Sequence, residues 1–368
     1  MEPDCKPRRL HLLSEAFAQE GVICAASNKS VKRNKPAFEW MNASPPPSPR
    51  RILLIQLRAI GDVILTTPVI RVLKKYFPES QVDFLANPIP AEILRGNPYV
   101  HRILVYPYNA NDLIGLLRQS FALHKNEYDV VIDFLGTAAT AAMTLFSGAP
   151  LRIGYRLRVR RYAYNRHELE YRQDVYNALT KFSLLKPLGI MEEESATEIF
   201  ISQEAKDWAE CFFREAGLNA QHPVALAPGA KRAARRWRPD RFAQVASWLQ
   251  EQGHQVILVW GPGEREYVQA IGKQMAPEPL LSPPMTLMQL AALLEKCKLL
   301  ICNCGGAKHV AVAVGTPTFT IHGPTNPEVW TPPHDLRHAF VRGDLNSTET
   351  VTVAQVIEGI QKMELLGC

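Results

Sequence analysis

The sequence predicts an α/β fold in which two doubly wound domains face each other across a cleft. From residue 51 onward, short apolar runs alternate with amphipathic segments of helical spacing. The apolar runs are hydrophobic from end to end, which is typical of parallel strands covered by helices on both faces. The alternation forms two series separated by a linker near residues 190–220. A length of 368 residues with 46% hydrophobic content is sufficient for two cores.

The first 50 residues differ in composition from the rest of the chain. A basic run, NKSVKRNKP, precedes a proline-rich run, NASPPPSPR. Because such segments cannot bury enough apolar surface to fold, we expect residues 1–50 to form a disordered N-terminal extension. Met41 lies between the two runs, and a biological start at this methionine is one hypothesis for the composition upstream of it.

The first series, residues 51–200, opens with the buried strand RILLIQL and the helical segment TPVIRVLKKYF. The elements that follow are the strands QVDFLA and HRILVYP, the helix DLIGLLRQSFALHK, the strand YDVVIDFL and, after a basic and aromatic stretch, the helical segment DVYNALTKFSLLKPLGI. This order predicts one doubly wound domain.

The second series, residues 201–368, repeats the pattern. Its strands are VALAP, QVILVWG, KLLICNC and PTFTIHG, and its helices are RPDRFAQVASWLQEQG, EREYVQAIGKQM, TLMQLAALLEKC and AKHVAVAVG. In a doubly wound domain, ligands bind at the carboxyl ends of the strands. The cleft between the two domains is therefore the expected ligand site.

Composition narrows the class of protein. The net charge of +6 suits an anionic ligand or an anionic membrane surface, and the absence of helix-turn-helix, zinc-finger or RNP signatures argues against nucleic acid as a partner. No run reaches about 18 apolar residues and no signal peptide is evident, so we expect a cytoplasmic protein. Seven cysteines without a CxxC pair predict reduced thiols, with neither a disulfide framework nor a zinc site.

The first candidate site is LRAIGDV, where the first strand meets the following helix. Gly61 allows a tight turn there. Asp62 has two interpretations: a helix cap, which is the more common role for an aspartate at this position, or a carboxylate that faces the cleft and removes a proton from an acceptor hydroxyl. The turn lacks GxGxxG, which makes a dinucleotide-dependent dehydrogenase the least favoured function.

The second candidate site is APGAKRAARRWRPDRF, again at a strand end. Gly229 allows a ligand to approach the backbone, and five cations follow within eight residues: Lys231, Arg232, Arg235, Arg236 and Arg238. A solvated loop is the simplest explanation of such a run. Its position between a buried strand and a helix favours a phosphate site, in which these cations would stabilise a leaving pyrophosphate.

The third candidate site is NCGGAKHVAVAVG. The backbone N–H groups of Gly305 and Gly306 at the start of a helix would form an anion site, although close packing also explains glycines there. His309 is either part of this site or a core histidine. Glu264 or Glu266 could accept hydrogen bonds from ribose hydroxyls or could be solvated.

Met285 stands just before a predicted helix, in SPPMTLMQL. Its backbone could meet a purine edge, but methionines in cores are more common. The sequence around it leaves both interpretations open.

Taken together, the three motifs resemble glycosyltransferase family 9, the ADP-heptose:lipopolysaccharide heptosyltransferases, over residues 51–364. The resemblance implies a GT-B fold with two Rossmann-like domains, in which residues 51–200 bind the acceptor and residues 201–368 bind the nucleotide sugar. It also implies inverting transfer without a metal or cofactor, and Asp62 as the general base.

The resemblance assigns further residues to the nucleotide sugar. Arg235 occupies the place of the family's lysine in K-x-W-P, Glu264 that of its ribose-binding glutamate, and Met285 that of its adenine-side residue. The family's N-D-[ST]-G-x-x-H reads NCGGAKH here. The nucleotide-sugar residues are thus Lys231, Arg235, Glu264, Met285, Cys304, Gly305, Gly306 and His309. Cys304 and Gly305 replace an aspartate and a hydroxyl residue, and we expect Lys308 to add charge at the phosphate end.

The acceptor implied by the resemblance is an anionic inner-core glycolipid. The stretch RIGYRLRVRRYAYNR contains six arginines, and we assign acceptor binding to Arg58, Arg156 and Arg158. An equally weighted alternative is a solvated basic hairpin that draws the protein to the inner membrane. Two other functions stay open: transfer of another nucleotide-linked sugar to an envelope glycan, and a nucleotide-sugar-binding homologue without catalysis.

Overall fold

The computed structural model describes residues 48–107, 112–157, 160–168, 174–218, 222–344 and 347–366. Of the predicted N-terminal extension, residues 1–47 lie outside this part of the chain. Within the described ranges, no helix combines the length and the apolar character that crossing a bilayer requires.

The first half of the chain forms a six-stranded parallel sheet with the strand order β3-β2-β1-β4-β5-β6. Its strands are β1 (Arg51–Ile55), β2 (Gln81–Ala86), β3 (Arg102–Val105), β4 (Val130–Asp133), β5 (Leu151–Tyr155) and β6 (Arg166–Glu168). The central strands β1 and β4 are buried almost throughout, because helices cover both faces of the sheet.

The helices of this half connect the strands. They are α1 (Ile60–Ile64), α2 (Thr67–Tyr76), α3 (Pro88–Ala91), α4 (Leu113–His124), α5 (Ala138–Phe146) and α6 (Asn177–Lys181), with 3₁₀ segments at Glu92–Leu94, Arg160–Ala163 and Phe182–Leu188. The predicted helix DVYNALTKFSLLKPLGI becomes a short α-helix followed by a 3₁₀ helix. Pro187 lies inside the 3₁₀ segment, where its missing N–H prevents a regular α-helix.

The second half forms another six-stranded parallel sheet, with the order β12-β11-β10-β7-β8-β9. Its strands are β7 (Val224–Ala227), β8 (Val256–Leu258), β9 (Leu280–Leu281), β10 (Leu299–Asn303), β11 (Thr318–His322) and β12 (His338–Arg342). Its helices are α7 (Gln203–Glu215), α8 (Pro239–Glu251), α9 (Arg265–Gly272), α10 (Leu287–Glu295), α11 (Gly306–Ala313), α12 (Pro327–Trp330) and α13 (Val353–Gln361).

Both sheets have the same topology, so the predicted α/β fold with two doubly wound halves is confirmed. In each sheet the strand order reverses next to the first strand, between β1 and β4 and between β7 and β10. Loops diverge at such a switch point and leave a crevice at the carboxyl ends of the strands. One buried apolar cluster contains members of both sheets, for example Ile52 and Leu300.

Two expectations about connections are wrong. The region predicted to be a linker contains α7, whose buried residues Ala205, Ala209 and Phe213 recur every four positions. Ser202 caps this helix by accepting a hydrogen bond from Ala205 N. The basic stretch after β5 is not a hairpin, because β5 and β6 pair in parallel and a 3₁₀ segment connects them.

Candidate functional site

The two halves meet where α1 packs against α11. A Cβ atom added to Gly61 would lie 2.5 Å from Cδ2 of His309, and one added to Gly306 would lie 3.7 Å from Cδ1 of Ile60. Gly61 is therefore needed for close approach, because any side chain there would collide with the imidazole. This contact brings the first and third sequence motifs together.

Asp62 is the third residue of α1, half-buried at the end of β1. Its Oδ2 accepts a hydrogen bond from Ala59 N at 3.1 Å. The carboxylate thus binds the backbone of the residue that caps the helix and is not itself the cap. Within the described chain Oδ1 has no hydrogen-bond partner, so the helix start orients the carboxylate and leaves one oxygen for a proton.

Lys181, a residue that the motifs did not indicate, lies near Asp62. It ends α6 and is only 3% exposed. Its Nζ donates to Oε1 of Gln56 at 3.3 Å and lies 5.4 Å from the ring centroid of Phe134. Among the described residues no carboxylate forms an ion pair with it. Burial lowers the pKa of Lys181 to about 8, and the charge of Asp62 opposes this shift.

Gln56 connects this lysine to the loop that carries Asp62. While its Oε1 accepts from Lys181, its Nε2 donates to the carbonyl oxygen of Arg58. Gln56 is itself 1% exposed. A buried cation, a buried amide and the loop before α1 therefore form one chain of contacts behind Asp62.

The five cations predicted for phosphate binding divide into two groups. Arg236 donates to the carbonyl oxygen of Ala230 at 2.7 Å, and Arg238 pairs with Asp240 at 3.0 Å, so both have structural partners. The others are free of carboxylates in the described chain: Lys231 and Arg232 are exposed, and Arg235 is half-buried with its Nε unpaired. These three cations remain available to an anionic ligand.

Asn303, another residue not predicted for the site, holds the cationic loop in place. Its Oδ1 accepts from Trp237 N at 3.0 Å, and its Nδ2 donates to the carbonyl oxygen of Pro228 at 2.8 Å. Trp237 is fully buried and donates its indole N–H to the carbonyl oxygen of Val351 at 2.9 Å. Both ends of the loop that carries Lys231 are thereby fixed.

We expect Trp237→Ala to lower the free energy of unfolding by about 3–5 kcal/mol, because it leaves a large cavity and removes the buried hydrogen bond to the carbonyl oxygen of Val351. Urea unfolding followed by circular dichroism measures the change. Ala substitution of the exposed Leu336 is the control and should change the free energy of unfolding by less than about 0.5 kcal/mol. A loss below about 1 kcal/mol for Trp237→Ala would contradict this role.

The glycine turn begins α11. Gly305 precedes the helix in an extended conformation, and Gly306 is its first residue. The first N–H groups of an α-helix have no partners within the helix, and neither glycine has a side chain that covers them. Cys304 is buried, and its backbone N–H donates to the carbonyl oxygen of Ile321 at 3.3 Å. The turn can therefore bind an anion through its backbone.

Lys308 lies beneath this turn and not on its surface. It is fully buried, its Nζ donates to Oγ1 of Thr331 at 2.7 Å, and it lies 3.4 Å from Nε2 of His322. Burial lowers the pKa of Lys308 to about 8, a shift that the nearby thiol of Cys304 opposes. The expected charge at this end of the site is present, but it acts from inside the protein.

His309 has the environment of a core histidine. It is 5% exposed, and its ring meets Trp330 edge to face at 5.8 Å. Burial and the charge of Lys308 lower the pKa of His309 to about 3, so the imidazole is neutral at pH 7. Trp330 lies on α12 in the segment HGPTNPEVW, which thus supports His309 against Gly61.

Glu264 faces the cationic loop from the end of β8. Its Oε2 accepts from Gly261 N at 3.0 Å, and a Cβ atom on Gly229 would lie 2.0 Å from the same oxygen. Glu266 is exposed on α9. Of the two glutamates, only Glu264 adjoins the loop at the switch point.

Met285 is half-buried and packs against the main core. Nearby, a cavity of about 650 Å³ opens between α7, the start of α9 and the loop after β9. Residues from all three elements line it, including Trp208, Phe212, Arg265, Leu281, Ser282 and Pro283. The Oγ atom of Ser282 is buried, and the described chain provides no hydrogen-bond partner for it.

The predicted acceptor residues are only partly described. Arg58 is exposed in the loop before α1, and Arg156 is exposed immediately after β5. Arg158 lies outside the described residues. Arg152, from the same basic stretch, donates to the carbonyl oxygens of Ala163 and Ala149 and is therefore structural. In the described chain no three His, Cys, Asp or Glu side chains are grouped to hold a metal ion.

The chain is similar to a lipopolysaccharide heptosyltransferase in sequence and to glycosyltransferases of known structure. The chain is 25% identical over 288 residues to lipopolysaccharide heptosyltransferase 3 of Escherichia coli strain K12, covering 75% of this chain and 83% of that protein. It is similar to the solved glycosyltransferase family 9 protein of Veillonella parvula, with a TM-score of 0.78 and 24% identity over 87% of this chain and 98% of the other. It is also similar to E. coli ADP-heptose lps heptosyltransferase II, with a TM-score of 0.72 and 23% identity over 86% and 99% of the two chains.

The sequence profile of glycosyltransferase family 9 (heptosyltransferase) matches residues 117–360. This match confirms the family that the three motifs resemble, and the two Rossmann-like halves confirm the expected fold. The chain belongs to glycosyltransferase family 9 and is a glycosyltransferase with the GT-B fold.

Proposed function

We propose that this enzyme transfers heptose from ADP-heptose to an anionic inner-core lipopolysaccharide acceptor, with inversion at the anomeric carbon and without a metal or cofactor. The observation that carries the proposal is the packing of His309 on Gly61. It brings the Asp62 carboxylate of one half next to the helix start that can bind an anion in the other. A base and a leaving-group site are thus close enough to act on one sugar.

The nucleotide would bind across the ends of β7, β8 and β10. The diphosphate would accept hydrogen bonds from the N–H groups at Gly305 and Gly306, with Lys231 and Arg235 neutralising its charge. Glu264 would accept hydrogen bonds from the ribose hydroxyls. Adenine would lie towards Met285 and the cavity beside it. The similarity to a protein named as an ADP-heptose heptosyltransferase supports this choice of donor.

Transfer would proceed by a single displacement. Oδ1 of Asp62 would accept the proton of the acceptor hydroxyl while the hydroxyl oxygen attacks the anomeric carbon. The bond from that carbon to the diphosphate oxygen would break on the opposite face, and ADP would leave with the electron pair. Arg235, Lys231 and the α11 N-terminus would stabilise the charge that develops on ADP.

Lys181 would act on this reaction through Asp62. Its buried positive charge lies near the Asp62 carboxylate, which would accept the proton in this reaction. The link through Gln56 to the Arg58 carbonyl would fix the loop geometry. Lys181 is therefore a positioning residue in this proposal.

The acceptor would bind on the first half of the chain. Arg58, Arg156 and Arg158 would pair with its carboxylates or phosphates. Because such acceptors are lipid-anchored, the enzyme would work at the cytoplasmic face of the inner membrane. Nucleic acid has no part in the proposal.

Two alternatives concern the donor side. Cys304 and Gly305 stand where the family motif has an aspartate and a hydroxyl residue. This difference favours either another nucleotide-linked sugar or a homologue that binds the donor without transfer. The two are distinguished from the main proposal by binding and turnover.

Donor identity is tested by thermal shift. We expect ADP at about 100 times its Kd to raise the Tm by about 5 °C, because a ligand that binds only the folded state stabilises it. UDP and GDP should raise the Tm less. Glu264→Gln should reduce the ADP shift, whereas the matched variant Glu266→Gln should keep it. A larger shift with UDP or GDP would contradict the proposed nucleotide.

Turnover is tested by ADP release from ADP-heptose in the presence of a Kdo-lipid A type acceptor. Release that depends on the acceptor supports heptosyl transfer. A Tm shift with ADP but no release with any donor and acceptor would identify a binding protein without catalysis. Release from a different nucleotide sugar would support the other alternative.

A further inference from the structure

An apolar surface lies on the outside of α4 and at the end of α5. Large side chains that are ordinarily buried are exposed here: Ile114 (73%), Leu117 (54%), Phe121 (62%), Leu145 (43%) and Phe146 (55%). We call these five residues, together with Arg118 and Lys125, the α4–α5 surface. Contiguous exposed apolar patches on a folded protein usually mark an interaction site.

The two helices present this surface side by side. Leu116, Leu123 and Met143 from α4 and α5 share one apolar cluster on the inner side. At the other end, a Cβ atom on Gly148 would lie 2.5 Å from Nδ1 of His124, so the residues just after α5 touch the last residue of α4. Phe146 therefore lies at the same end of the helix pair as Phe121.

The spacing on α4 forms one stripe. Ile114, Leu117 and Phe121 are three and four residues apart, which places them on one helix face. Ser120 and Leu123 are buried on the opposite face. Both faces of α4 are thus apolar, and only the inner one is covered by the rest of the described chain.

Positive charge lies within the same stripe. Arg118 follows Ile114 by one turn, and Lys125 follows Phe121 by one turn, with its Nζ 5.0 Å from the ring centroid of Phe121. Neither α4 nor α5 contains Asp or Glu. Acidic residues flank α4 at both ends, Asp112 as its N-cap, where it accepts a hydrogen bond from Gly115 N, and Glu127 in the turn after it.

The adjoining 3₁₀ segment Arg160–Ala163 has a similar composition. It contributes Ala163 to a small apolar cluster with Ala141 of α5. Its Tyr162 is 70% exposed and lies under the guanidinium of Arg161 at 5.0 Å. Aromatic side chains next to cations thus extend from α4 to this segment.

The combination of exposed apolar side chains and cations indicates which kind of partner can bind this surface. In a two-fold dimer the same patch faces itself, so Arg118 and Lys125 would meet cations of the other copy. An anionic bilayer instead offers phosphate groups to the cations and acyl chains to the apolar residues. We propose that the α4–α5 surface docks onto an anionic lipid bilayer. The inference goes beyond sugar transfer and relies on the proposed function only for the lipid-anchored acceptor.

The test is flotation of the full chain with phosphatidylcholine vesicles, with and without one third phosphatidylglycerol. The wild-type protein should float with the anionic vesicles, and binding should fall as salt is raised, because salt screens the cations. The double variant Leu117→Ser and Phe121→Ser should lose at least about fivefold in bound fraction. Lys125→Glu should lose binding to the anionic vesicles.

Matched controls lie on the second half of the chain. Leu336→Ser changes a leucine that is 93% exposed, and Lys273→Glu reverses the charge of another exposed lysine. Both should bind as the wild-type protein does. Equal binding by the double variant and Leu336→Ser would overturn the proposal. So would light scattering that finds a wild-type dimer, a monomeric double variant and no vesicle binding by either.

Activity on a water-soluble, delipidated acceptor separates this proposal from the proposed function. The double variant should transfer sugar to that acceptor at the wild-type rate, because neither Leu117 nor Phe121 belongs to the transfer site. Wild-type transfer without flotation would overturn membrane docking alone. Flotation without transfer of any sugar would overturn the proposed function alone.

Discussion

Asp62→Asn is expected to lower kcat for sugar transfer by about 10²–10⁴-fold, the contribution that a positioned general base makes. Asparagine keeps the shape of the side chain and can still accept the hydrogen bond from Ala59 N that Oδ2 of Asp62 accepts. It cannot take a proton from the acceptor hydroxyl. The variant should therefore fold and bind ADP as the wild-type protein does, while chemistry fails.

Acceptor-dependent ADP release measures the loss, and the ADP thermal shift measures donor binding. Asp112→Asn is the control, since Asp112 also binds a backbone N–H at a helix start, that of Gly115 at 2.7 Å. It should keep full activity. Full turnover by Asp62→Asn would remove Asp62 as the base, whereas loss of the ADP thermal shift would show that the change acts on the fold.

The positions of the three motifs could be predicted from the sequence, because ligand sites in doubly wound sheets lie at the carboxyl ends of the strands. Each one comes directly after a buried apolar run, and the carboxyl ends of β1, β7 and β10 meet at the two switch points. The sequence pattern around each motif could not predict how the two halves of the chain pack against each other. Only the folded chain reveals that Gly61 lacks a side chain because of His309.

The residues that were missed are polar groups in buried places. A prediction of burial from the sequence assigns lysine to the exposed face of an element, since lysine is almost never fully buried. Lys181 and Lys308 are both exceptions, and neither TKFSLL nor GGAKHV signals it. Asn303 lies in the predicted strand KLLICNC, although its amide fixes both ends of the loop that carries Lys231. The helix α7 lies in the region predicted to be a linker, although Ser202 and the apolar spacing after it indicate a helix.

Lys181→Met is expected to raise the free energy of unfolding by about 3 kcal/mol at pH 7 and to lower kcat by about tenfold or more. The pKa of Lys181 is lowered from 10.5 to about 8 by burial, so keeping its charge in the folded state costs stability. Methionine has a similar length and no charge to desolvate. The same change removes the cation beside Asp62, which the proposed reaction uses.

The pH dependence has a definite sign. Between about pH 8 and 10.5 the unfolded chain binds a proton at Lys181 that the folded chain has released, so wild-type stability rises with pH in this window. The stability advantage of Lys181→Met is therefore full below pH 8 and disappears by about pH 10.5. Urea unfolding at several pH values measures it.

The pH dependence of kcat distinguishes a lysine that acts in the reaction from a lysine that only supports the fold. Wild-type kcat should fall above about pH 8, as Lys181 loses its charge, and Lys181→Met should lack this alkaline decline. Lys186→Met, at an exposed lysine five residues away, should change neither stability nor the pH profile. Destabilisation by Lys181→Met, or an unchanged alkaline decline, would contradict the role. If Lys181→Met is more stable and less active than the wild-type protein, the buried charge lowers the stability of the fold. The charge is then retained because the reaction requires it.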